Sequence, residues 1–110
     1  MKINIQSPGF TPTLQLINFV NRKINKLTGL YREIIGSEVC LRLNSSASGQ
    51  NKICSIRLLI PGYDLLASSQ FEKFEIAIVQ TVEALKRQIK KRKTKTIGRR
   101  KDILEVRSNA

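Results

Sequence analysis

Ten of the sixteen residues from Lys86 to Lys101 are Lys or Arg, and none is acidic. Side chains of that type, at that density, do one kind of chemistry: they neutralise a polyanion. Residues 1–85 carry a net charge of +3, residues 86–101 carry +10, and residues 102–110 carry −1, which together give the +12 of the chain. Such a concentration repels itself unless phosphates meet it. Nucleic acid is the expected partner, and a membrane surface is the weaker reading. Solubility alone does not require ten cations without an anion among them.

Little else in the chain could do chemistry. There is no histidine, so the commonest general base and the commonest transition-metal ligand are missing. Cys40 and Cys54 stand fourteen residues apart without companion ligands. No Gly-rich phosphate loop, no Gly-x-Ser-x-Gly and no close pair of carboxylates occurs. The expectation is a protein that is not an enzyme, with no metal, no cofactor and no small-molecule substrate. No apolar run approaches the roughly 20 residues that span a bilayer. The alternating Met1–Gln6 segment is no signal peptide, so a cytoplasmic location is expected.

The cations must be positioned by something, and 110 residues suffice for one small domain. Met1 to Gln6 alternates as a strand, with Ile3 and Ile5 on one side. Thr11 or Thr13 is placed to cap the helix that follows. Leu16, Ile17, Val20, Ile24 and Leu27 then recur at three and four over Leu14 to Leu30, leaving Asn18, Arg22, Asn25 and Lys26 facing away. Ser37–Leu43 and Lys52–Ile60 alternate as strands around a polar loop over Asn44–Asn51. Pro61-Gly62 marks a tight turn into a short strand over Tyr63–Ser68, with Leu65 and Ala67 inward. Phe71, Phe74, Ile78, Val82, Leu85 and Ile89 form the stripe of a second helix running to about Lys95. Its early Glu72 and Glu75 and its late cations suit the helix dipole.

The order β-α-β-β-β-α gives an α+β fold: a four-stranded mixed sheet with both helices on one face. The first two strands should pair in parallel through a right-handed crossover. Cys40 and Cys54 then point to opposite sides of the sheet, so they cannot form a disulfide. The chain divides into a domain over residues 1–95 and a basic, disordered tail over 96–110. On the second helix Lys86, Lys90 and Lys93 share a face, with Arg87 and Lys91 beside them. On the first, Arg22 and Lys26 pair with Lys23 adjacent. With both helices on one sheet face, their outer sides make one basic surface. No aromatic side chain interleaves the basic run, so base stacking is not expected, and folded RNA read by shape and backbone fits best.

Phe19-Val20-Asn21-Arg22-Lys23-Ile24-Asn25-Lys26-Leu27, Leu85-Lys86-Arg87-Gln88-Ile89-Lys90-Lys91, and Leu65-Leu66-Ala67-Ser68 followed by Glu72 to Ala77 carry a further message. In this order over about residues 1–95, the chain resembles the short form of the ribosome hibernation promoting factor / ribosome-associated inhibitor family. The resemblance implies a β-α-β-β-β-α fold and binding to the small ribosomal subunit between head and body. It also implies silencing of idle ribosomes in stress or stationary phase, by covering the messenger and transfer RNA sites. It assigns Arg22, Lys23, Lys26, Lys86, Arg87, Lys90 and Lys91 to ribosomal RNA phosphates, with Lys93 and Lys95 as additions, on a protein monomeric off the ribosome. Lys73-Phe74-Glu75 replaces the Asp-Met-Tyr common in the family, so contacts of that Asp or Tyr do not carry over. Residues 96–110 match neither the acidic extension nor the second dimerising domain of other members. The alternative is a general RNA- or DNA-binding module without ribosome specificity.

Overall fold

A computed structural model describes residues 2–45 and 49–104, the stretch 92–104 by its backbone alone. The elements are β1 (Lys2–Gln6), α1 (Leu14–Leu30), β2 (Gly36–Leu43), β3 (Lys52–Ile60), β4 (Tyr63–Phe71) and α2 (Phe74–Leu104). The sheet order is β1-β2-β3-β4. β1 pairs with β2 in parallel, and the two remaining pairs are antiparallel. This is the expected α+β architecture.

Register shows how the alternation becomes a core. Ile5, Val39, Ile56 and Ala67 stand in one row across the four strands, and Ile3, Ser37, Leu58 and Leu65 in another. Both rows face the helices, and their apolar members pack in one cluster with Leu16, Val20, Ile24 and Leu27 of α1 and Ala77, Ile78, Val82, Leu85 and Ile89 of α2. Both helices therefore share one sheet face, and the other stays open. Thr13 caps α1, its Oγ1 accepting from the Leu16 N–H at 3.1 Å. Pro61-Gly62 closes the β3–β4 hairpin, with Gly62 at φ 89°, where a side chain would be strained.

Three features differ from the periodicity. Phe71 ends β4 opposite Lys52 instead of opening α2, which starts at Phe74, and β4 runs three residues past Ser68. Leu43 is 46% exposed, because it ends β2 beyond the core cluster. The helical backbone of α2 passes Lys95 and reaches Leu104. Lys and Arg are good helix formers, and a single Gly98 costs only about 1 kcal/mol relative to Ala. Residues 46–48 of the polar loop and 105–110 lie outside the described residues.

Among the described side chains of α2, one buried position is polar. Thr81 donates to the Ala77 carbonyl at 2.7 Å and lies 2.6 Å from Ser69 Oγ on β4. That hydroxyl pair fixes where α2 sits on the sheet. Lower on the same helix, Gln88 Nε2 donates to the Leu66 carbonyl at 3.0 Å.

Candidate nucleic-acid interface

Helix α1 presents Arg22 and Lys26 exposed and Lys23 half-buried. Their stems are organised by Phe19. The Arg22 guanidinium carbon lies 5.6 Å and the Lys23 ammonium 5.4 Å from its ring centroid. Spacings of three and four on a helix bring them there, and cation–π attraction holds the charges over the ring. The sequence signal for this anchor is the Phe19-x-x-Arg22-Lys23 spacing, with a phenylalanine at the edge of the apolar stripe.

On α2, Arg87, Lys90 and Lys91 are exposed. Lys86 differs. It is half-buried, and its Nζ donates to Glu83 Oε2 at 3.2 Å. The basic run begins one turn too late to show this carboxylate, so the pair is absent from a reading that starts at Lys86. Lys93 and Lys95 lie on the α2 backbone, and their side chains are outside the described residues. Because α1 and α2 pack against each other on one sheet face, the fold brings the α1 cations and those of α2 to the same side of the molecule.

The open face has a different charge pattern. Its central cation, Arg57, lies between Glu38 of β2 at 3.7 Å and Asp64 of β4 at 3.9 Å. About half of each of these side chains is exposed, so the pairs add little stability. They do cancel charge locally, and the surplus of the chain stays with the helices. Cys40 is half-buried on this open side, while Cys54 is buried under α2 and both are free thiols. Burial pushes the Cys54 thiol up to about 12, outweighing its hydrogen bond with Thr81, which lowers it. A neutral buried thiol is a packing group and a poor nucleophile. Among the described residues no three His, Cys, Asp or Glu side chains gather into a metal site. Among them, too, no helix is long and apolar enough to cross a membrane.

A basic helical layer backed by a mixed sheet is the setting in which a family match becomes informative. Residues 3–97 match the model of the Sigma 54 modulation protein / S30EA ribosomal protein family. The chain belongs to that family. Two solved structures share its fold. A ribosomal subunit interface protein from Coxiella burnetii is 18% identical with a TM-score of 0.76, covering 84% of this chain and 98% of that one. The Protein Y N-terminal domain of Thermus thermophilus is 20% identical with a TM-score of 0.69, covering 83% of this chain and 98% of that one. A comparison with curated proteins gave no match. Family membership makes this a ribosome-associated type of protein, and the family description names no enzymatic reaction.

Proposed function

We propose that the chain binds the small ribosomal subunit through the outer sides of α1 and α2 and silences translation by occlusion, without catalysis. Arg22, Lys23, Lys26, Lys86, Arg87, Lys90 and Lys91 contact ribosomal RNA phosphates, and Lys93 and Lys95 extend the set. The bound domain covers the messenger and transfer RNA sites of ribosomes idled by stress or stationary phase. The protein acts in the cytoplasm and is monomeric off the ribosome.

The observation that carries this reading is the joint placement of two cation-bearing helices on one sheet face, in a chain of a ribosome-associated family. Phosphate contacts of this kind dominate affinity and make it steeply salt-dependent. RNA is favoured over a membrane because α2 carries no apolar stripe among its cations that could enter the lipid boundary. The test is sedimentation of purified protein with small subunits across a salt series, joined to translation in vitro. Co-sedimentation that weakens steeply with salt, together with inhibited translation, is expected. Translation left untouched, or equal affinity for arbitrary duplexes and for subunits, overturns ribosome specificity.

A further inference from the structure

Helix α2 has two halves of different physical character. From Phe74 to Ile89 it has an inside: Ala77, Ile78, Thr81, Val82, Leu85 and Ile89 are buried. From Lys90 onward its sequence is dominated by cations. Lys90 to Lys101 holds eight cations in twelve positions, and at about 100° per residue they leave no side of a helix free of charge. The fifteen residues Lys90–Leu104 extend roughly 22 Å at about 1.5 Å per residue. The molecule measures 53 Å along its longest axis, and its radius of gyration is 16.2 Å. A compact chain of this length would give about 13 Å.

A helix segment with charge on every side lacks the clean apolar stripe that stabilises most surface helices. Here the local pairs work against it. Lys86–Lys90, Arg87–Lys91, Lys91–Lys95 and Lys95–Arg99 are like-charge pairs at four, each unfavourable to the helix. Thr94, Thr96 and Gly98 lower its propensity further. Asp102 is the one acidic side chain between Lys90 and Leu104. Phosphates would remove the repulsion that opposes the helix.

We propose that the helical form of residues 90–104 is linked to polyanion binding, so that this arm completes its helix on the RNA it contacts. The idea rests on the RNA-binding reading above. The arm contributes affinity only after its ordering is accounted for, which makes Gly98 an affinity-setting position although it bears no charge. Salt then acts twice, by screening the phosphates and by changing the helical population that meets them.

The test uses the full chain. Amide hydrogen exchange over residues 90–104 is followed in a low-anion buffer, with and without a short RNA hairpin whose binding is measured separately by anisotropy. Helical circular dichroism is followed in parallel with inorganic polyphosphate. Protection of the arm should rise about ten-fold or more on RNA binding, as for a local opening closed by a ligand. Polyphosphate should raise the helical signal at a low ionic strength where an equal charge concentration of sodium chloride does not. Gly98→Ala should tighten RNA binding up to about five-fold, the equivalent of its gain in helix propensity. An arm equally protected with and without bound RNA, or a Gly98→Ala affinity equal to wild type, overturns the linkage and leaves RNA binding standing. A polyphosphate-induced helix with no affinity for RNA or subunits keeps the linkage and overturns the proposed function.

Discussion

Lys86 offers the sharpest test of how the helix face meets phosphate. Its ammonium is already 3.2 Å from Glu83, with the two side chains 31% and 47% exposed. A half-exposed pair three apart on a helix is worth only about 0.3–0.5 kcal/mol, so it can be broken. If Lys86 contacts RNA as proposed, the pair's effect on binding is larger, because RNA must either displace Glu83 or accept its charge near a phosphate. A full phosphate contact contributes roughly 0.7–0.9 to the slope of log affinity against log salt. Lys90, exposed and without a described carboxylate beside it, should supply that whole increment, so Lys90→Ala lowers the slope by about 0.8. Lys86→Ala should lower it by less than about half as much. Glu83→Gln alone should raise the slope, and in that background Lys86→Ala should recover the full loss of about 0.8. The assay is subunit or RNA-hairpin binding over about 50–200 mM salt, a span in which one contact is worth about three-fold in affinity. Unfolding free energies should differ by less than about 0.5 kcal/mol across the set, so changes in binding are not changes in fold. Equal slopes lost from Lys86→Ala and Lys90→Ala, unaffected by Glu83→Gln, would refute the idea that Glu83 holds Lys86 in reserve.

Replacing Lys86, Arg87, Lys90 and Lys91 together by Ala should abolish subunit co-sedimentation near physiological salt and lower the salt slope by about 3 on RNA hairpins, with an unchanged thermal transition. Leu85→Ala should cost about 2–5 kcal/mol in denaturant unfolding, because the side chain is fully buried between α2 and the sheet; Leu85→Asp should leave no folded protein, since a charge would be buried unpaired. Alkaline titration gives a further check. Cys54 is held near 12 in the folded state by burial, against about 8.5 when unfolded. Its stabilising contribution is complete below the unfolded value and is lost as pH rises toward the folded one, at up to about 1.4 kcal/mol per pH unit. Cys54→Ala should flatten that decline between about pH 9 and 12, and an identical slope in both proteins would contradict it.

Most of the fold was legible because most elements have one apolar side. The alternation of Val39 and Leu41, or of Cys54, Ile56, Leu58 and Ile60, admits one pairing with the helices beneath it. Phe71 was misread because Phe71, Phe74 and Ile78 fit a helical stripe, while Ser68-Ser69-Gln70 has no apolar alternation to announce a strand. Pairing with β3 decides the matter, and pairing is a long-range contact that no local period reports. Thr81 escaped for a related reason: a hydroxyl in a buried stripe looks like a surface residue until Ser69, twelve positions earlier, is found beside it. The cations of the candidate interface were legible as charge. Their modulation by Phe19 and Glu83 was not, because it depends on side-chain approach.

Helix α2 is the last of the described elements, and it supplies both Val82, Leu85 and Ile89 to the core and Arg87, Lys90 and Lys91 to the surface. Inner and outer residues are read off the same turns. A chain that has not yet docked this helix lacks one wall of its core and also the fixed array of charges. On the proposed function, quality control is thereby built into the candidate interface. Half-finished or heat-damaged copies would expose apolar surface and carry their cations without register, so on that reading the copies that compete for RNA are those that have completed folding.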